Sequence, residues 1–405
     1  MFAATLQRLE ARGKEGAFAS NSRTSAPEPA TLFSQSRGTG LTAELHYEQA
    51  LPPARHTRRW IPVVERRIGF PMRRFRCFAV LLAIFGTLGK AEGESPAELR
   101  ARAAAIFSPL PPVAESKENP VTEEKIRLGR MLYYDARLSV NDKIACNSCH
   151  QLDRFGVDNE KTSPGHDGRR GDRNSPSTYN AAFHIAQFWD GRARDVEEQA
   201  KGPILNPIEM GMPSEEAVVA KLEKIPGYLP LFRAAFPGQE KPITYDNIAR
   251  AIGAFERKLV TPSRFDDFLA GNDSALNEQE RAGLSKFISI GCVTCHNGPT
   301  VGGTMFQKLG LVKPYPTEDP GRAKVTGNEA ERGFFKVPSL RNVAKTAPYL
   351  HDGSIGTLPE MVRVMAEYQL GRQLSDTDVA DIVAFLNALT GRIDAQYIAK
   401  PELPR

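Results

Sequence analysis

Two short stretches, "ACNSCH" over residues 145–150 and "GCVTCH" over 291–296, each hold two cysteines three apart with a histidine directly after the second. On a helical turn, cysteines at this spacing face the same way and can each form a thioether to one vinyl group of a haem. The histidine that follows lies where its imidazole can reach the iron. The pattern therefore reads as covalent c-type haem attachment, twice. The thioethers fall to Cys146, Cys149, Cys292 and Cys295, and iron ligation to His150 and His296. Zinc held by two C-x-x-C pairs would leave both adjacent histidines unexplained. A thioredoxin-like dithiol wants a βαβ setting that the chain does not offer.

Each iron has one further axial position to fill. Five histidines follow residue 91: His150, His166, His184, His296 and His351. His166 lies in the Gly-flanked loop "SPGHDGRRGDRNSP", short enough to fold back over the first haem, although an exposed loop histidine fits the same residues. His184, in "YNAAFHIAQFWDG", reads as a hydrogen-bonded packing residue. Met365 is the leading candidate for the second iron. It shares a helix face with Leu358 and Val362, a pattern that a core methionine also produces.

The elements that must position these groups read as helices. Expected segments are 95–107, 122–135, 244–260, 277–289, 357–369 and 375–390. Ser95 followed by Pro96 opens the first, and Asn277 with Glu280 and Thr357 with Glu360 stand at capping-box spacing. No convincing run of strand alternation appears. Two units emerge, each with a helix entering C-x-x-C-H, a loop-rich middle and later helices. The expected fold is all-α, with two cytochrome c-like domains over 92–262 and 263–392. The long irregular segment 151–213 suggests function rather than packing.

Residues 72–91 read as a secretory signal. Arg73, Arg74 and Arg76 precede an apolar run from Cys77 to Leu88, and Gly89 and Ala91 suit a cleavage site. The apolar run is too short to span a membrane, so no span is expected after cleavage. Residues 1–71 are Arg-rich, lack periodicity and read as an over-extended gene start or a disordered extension. Residues 1–91 hold 14 of the 53 Lys and Arg and 6 of the 48 Asp and Glu, leaving 39 basic against 42 acidic groups and a formal net charge of −3. The apparent basicity belongs to the leader, and nothing points to nucleic-acid binding. Export agrees with a periplasmic location, and haem is attached outside the cytoplasm.

From about residue 98 onward the chain resembles the bacterial dihaem cytochrome c peroxidases. The segments that carry the resemblance are "ACNSCH", "GHDGRRGDRNSPSTYNAAF", "FWDGRA", "NPIEMG", "GCVTCHNG", "FKVPSLRNVAKTAPYLHDGS" and "TLPEMVRVM", in the family's order. The resemblance implies that His166 is the distal ligand of the peroxidatic haem and Met365 that of the electron-transferring haem. It implies that Trp189 lies between the haems and that Glu209 is the acid/base on the peroxide side, with Gln199 and Pro203 lining the same pocket. Asn174 and the carbonyls of Thr346 and Pro348 are implied calcium ligands, and His351 lies nearby. A C-terminal tail (393–405) returning to the first domain and a homodimer are also implied. The function it implies is periplasmic reduction of hydrogen peroxide, with electrons from a small c-type cytochrome or cupredoxin. A dihaem electron carrier and a protein-oxidising maturation enzyme are the alternatives. In the latter relatives a Tyr takes the place of the distal Met, so Met365 favours the peroxidase.

Overall fold

The structure is a computed structural model that describes residues 94–405. The expected extension over 1–71 and the signal over 72–91, with Cys77, lie outside the described residues.

The described chain is mostly helical: α1 (Pro96–Ala104), α2 (Glu123–Tyr134), α3 (Cys146–Cys149), α4 (Val196–Leu205), α5 (Glu215–Glu223), α6 (Tyr228–Ala235), α7 (Tyr245–Glu256), α8 (Arg264–Leu269), α9 (Glu278–Ile290), α10 (Ala323–Thr326), α11 (Leu358–Leu370) and α12 (Asp376–Ala388). The six helices expected from sequence are α1, α2, α7, α9, α11 and α12. Their starts are fixed by side chains that satisfy otherwise orphaned backbone N–H groups. The Ser95 and Asn277 side chains accept from the N–H groups of Glu98 and Glu280, and both Glu side chains reach back to complete capping boxes. Strand is confined to a short antiparallel pair, β1 (Phe306–Lys308) with β2 (Phe334–Lys336), Phe306 opposite Lys336.

The two halves are built around the same helix crossing. In the first, α2 crosses α7 at Gly129, where a Cβ would lie 1.9 Å from the Ala251 carbonyl oxygen and 3.0 Å from the Phe255 Cβ. In the second, α9 crosses α12 at Gly283, where a Cβ would lie 1.9 Å from the Asp381 carbonyl oxygen and 2.9 Å from the Phe385 Cβ. Glycine is required at both positions because backbone touches backbone. Phe255 and Phe385 are fully buried beside these crossings, each contributing roughly 1.5–3 kcal/mol of burial.

Two apolar clusters follow from this arrangement. The first runs from Ile126 to Leu259 and takes in Ile398, with Ile393 and Tyr397 packed against it from the C-terminal tail. The second is centred on Phe265, Phe268, Leu284, Phe287 and Phe385. It also takes in Leu99, Ala103 and Phe107, so α1 and Phe107 just beyond it pack on the second half although they lie within the first in sequence. The reason is steric match: the Phe107 ring meets the edge of Phe265 at 5.4 Å between centroids.

The halves meet at a buried hydroxyl. The Asn180 and Asn342 side-chain amides each donate to the Thr261 Oγ1, both at 2.9 Å. Both asparagines are in the left-handed conformation, φ 61° and 63°, and each opens a short 3-10 turn. Arg341, on the same junction, is buried against Asp266.

Candidate active site

Each C-x-x-C-H stretch sits on a single helical turn. The His150 N–H donates to the Cys146 carbonyl and the His296 N–H to the Cys292 carbonyl, both at 3.0 Å. The second turn follows α9 directly because Gly291, at φ 105°, ends that helix in the left-handed region.

The two stretches open into separate cavities. The first, about 580 Å³, is lined by Cys146, Cys149, His150, Gln199, Pro203 and Glu209 among others. The second, about 250 Å³, is lined by Cys292, Cys295, His296, Met361, Val362 and Met365. Trp189 and Asn174 line both. Because the cysteine pairs lie apart, they do not form one four-thiolate centre. Burial pushes the thiols up, Cys149 and Cys292 to about 11. A neutral thioether suits such a buried setting.

The histidines fit iron ligation. Burial lowers both imidazoles, His296 to about 4, so they are neutral at pH 7. The His296 Nδ1–H donates to the Val301 carbonyl at 3.4 Å, which leaves Nε2 as the free lone pair. Two cavities, each with paired neutral thiols and a neutral imidazole, fit two c-type haems.

Glu209 is held in a tight turn that closes α4. Its N–H donates to the Asn206 carbonyl at 3.0 Å, and the Asn206 side-chain amide donates to its Oε1 at 2.9 Å. Burial raises its pKa, against the pull of Arg192 and the Asn206 hydrogen bond. A carboxyl beside a cavity, with its proton affinity raised by burial, is placed to exchange protons with a bound substrate.

The structure does not bring His166 to the first cavity. Its loop docks instead on the 206–211 turn. The His166 N–H donates to the Glu209 carbonyl at 2.8 Å, and its Nε2–H to the Pro207 carbonyl at 3.1 Å. An Arg169 guanidinium N–H also reaches the Pro207 carbonyl, at 2.8 Å. The ring rests on Gly211, φ 71°, where a Cβ would lie 2.5 Å from the His166 Nε2. Gly165 lies equally close to the turn, against the Ile208 carbonyl oxygen.

Around Trp189 the geometry is tight. Its Nε1–H donates to the Asn174 carbonyl at 2.9 Å, and the Asn174 N–H donates to the His351 carbonyl at 2.7 Å. The Asn174 amide nitrogen donates to the Glu160 and Lys161 carbonyls, which leaves its amide oxygen as a free acceptor. Asn174, Thr346 and Pro348 all line the second cavity. His351 is buried, stacked on Phe335 at 4.4 Å between ring centroids, with its Nε2 3.1 Å from the Thr317 hydroxyl.

Among the buried charged groups on the cavity walls that sequence reasoning missed, two form no salt bridge among the described residues. Glu256 lines the first cavity and Lys336 the second. Neither belongs to a motif whose spacing speaks of chemistry; only a charge at an apolar helical position, as for Glu256 beside Phe255 on α7, hinted at burial.

Comparison with known proteins agrees with this picture. Residues 123–274 match the family model for di-haem cytochrome c peroxidases. The chain is 46% identical over 301 residues to the cytochrome c551 peroxidase of Pseudomonas aeruginosa, covering 73% of this chain and 87% of that protein. It is 47% identical over 305 residues to the cytochrome c551 peroxidase of Nitrosomonas europaea, covering 74% and 89%. Among solved structures, a MauG-like protein associated with microbial copper homeostasis superposes with a TM-score of 0.65 at 31% identity, covering 72% of this chain and 97% of that one. Helical architecture, two C-x-x-C-H cavities and extended identity converge, and the chain belongs to the di-haem cytochrome c peroxidase family.

Proposed function

We infer that the chain is a cytochrome c peroxidase: it reduces hydrogen peroxide to water with electrons from a c-type cytochrome. The reaction takes one peroxide, two electrons and two protons to two waters. Two haems, when attached through the four cysteines, supply the electrons and the iron site for peroxide. His150 and His296 would hold the irons, and Met365, which lines the second cavity, would offer a soft thioether that favours the reduced state. Glu209 takes a proton from the near peroxide oxygen and returns one to the leaving oxygen, with Gln199 beside it. Trp189 spans the wall between the cavities.

The observation that carries this reading is the asymmetry of the two cavities. One holds a carboxyl whose pKa burial raises and the other a methionine, with a single tryptophan facing both. The loop bearing His166 is parked on the 206–211 turn. We propose that His166 exchanges between this position and ligation of the first iron. Asn174, Thr346 and Pro348 supply amide and carbonyl oxygens of the kind that calcium prefers. A periplasmic location, a homodimeric assembly and a cupredoxin as alternative donor complete the proposal.

The test is one-electron reduction of the purified holoenzyme followed by addition of an exogenous ligand and then peroxide. Ligand binding at one haem and rapid turnover are expected. An enzyme that keeps both irons six-coordinate and turns over negligibly is an electron carrier instead.

A further inference from the structure

Lys336 lies at the end of β2 with 6% of its surface exposed. Its ammonium has one side-chain partner, the Nδ1 of His184, at 3.3 Å. An ammonium has no lone pair, so Lys336 donates and the imidazole accepts. Among the described residues, no carboxylate pairs with it, and burial alone pulls its pKa down to about 8. By contrast Arg341, on the same cavity, pairs with Asp266, and Arg173, on the first cavity, pairs with Asp190 and Asp319. A buried cation without a counter-charge is strongly unfavourable.

His184 adds a second unmatched donor. Because its Nδ1 accepts from Lys336, its proton is on Nε2, and that atom is buried without a hydrogen-bond partner. Burial and the adjacent ammonium push its pKa well below the ordinary imidazole range, so the ring is neutral. Both residues line the second cavity alongside Cys292, Cys295 and His296. A haem tethered there brings carboxylates of its own, the anions that the protein fails to provide.

We propose that Lys336, held in place by His184, anchors a haem propionate in the second cavity and is a positioning residue that raises the reduction potential of that haem. A fixed cation beside the porphyrin disfavours the oxidised state, which carries the extra positive charge. In a buried site this effect is little screened by salt. The Lys336 N–H donates to the Trp189 carbonyl at 2.8 Å, so the same residue ties the anchor to the wall between the cavities.

The inference rests on the second cavity carrying a covalently attached haem. Spectroelectrochemical titration of the holoenzyme separates the two haem midpoints, and the methionine-to-iron absorption band marks the second. Lys336→Met is expected to favour the oxidised second haem at least tenfold, a midpoint lower by about 59 mV, with the first haem unmoved. Lys336→Arg is expected to restore most of that loss. The propionate bending band in the resonance Raman spectrum is expected to shift in the Met variant and stay near its native position in the Arg variant. If Lys336→Met does not accumulate, Lys336→Gln takes its place. An unchanged second midpoint with both haems attached overturns the assignment, as does a shift shared equally by both haems. A wild-type enzyme holding one haem would instead defeat the haem reading of the cavity, so the two failures are distinct.

Discussion

Replacing Glu256 by Gln tests how the first cavity tolerates charge. Glu256 ends α7 with 4% of its surface exposed, on the wall of that cavity. The adjacent Arg257 does not neutralise it. That guanidinium is committed to Glu197, through Nε to Oε1 at 2.7 Å and Nη2 to Oε2 at 2.8 Å. Burial, and then repulsion from Glu197, push the Glu256 carboxyl up to about 8 from an ordinary value of 4.5, against the pull of Arg257. A pKa raised on folding means that the folded state binds the proton more tightly. The associated stability is complete below pH 4.5 and is lost as pH rises through 8. At 1.36 kcal/mol per unit the full loss is about 5 kcal/mol, and the part lost by pH 7 about 3 kcal/mol. Both are upper values, and both are large against the roughly 5–15 kcal/mol that stabilises an ordinary domain. Glu256→Gln keeps the shape and removes the titration. Urea denaturation of both holoproteins at pH steps between 4.5 and 9 is expected to show nearly equal stability at the acid end, with the variant increasingly favoured toward the alkaline end. Parallel curves across the window would refute the claim that this carboxyl is buried and unmatched.

Four further outcomes are expected. Gly211→Ala places a methyl against the His166 ring and strains a left-handed backbone position. It should drive His166 off its docking turn and raise the low-spin fraction of the first haem in EPR spectra of the half-reduced enzyme. Glu209→Gln should lower kcat by about 10²–10⁴-fold without loss of haem, as read by steady-state assay and pyridine haemochrome content. Gly129→Ala and Gly283→Ala should each destabilise the protein by at least about 1–3 kcal/mol through overpacking, measured by thermal denaturation. Calcium removal by a chelator should slow turnover and change the half-reduced spectrum, with recovery on adding calcium back.

The helices and the two haem attachment points were legible because their signals are local: a capping side chain, a Pro at the first turn, three-residue cysteine spacing. The roles given to Glu209, Gln199, Trp189 and Met365 rest on resemblance, since none carries a spacing that distinguishes a site residue from a turn or core residue. The position of His166 was not legible. It depends on backbone contacts with residues 206–211, some forty positions along the chain. Lys336 and His184 meet across 152 residues for the same kind of reason. The packing of α1 on the second half arises from long-range steric fit around Phe265. The paired crossings at Gly129 and Gly283 did leave a trace, a glycine inside an otherwise good helix, which costs about 1 kcal/mol relative to Ala unless close approach requires it.

A hydroxyl oxygen has two lone pairs, and at Thr261 each is claimed by an asparagine from a different lobe. Neither lobe can swivel without surrendering a bond in a place that water does not reach. The exchange of His166 proposed above takes place outside this rivet and leaves both bonds intact. In the proposed function, the distance past Trp189 is held by this junction while the His166 loop exchanges beside it.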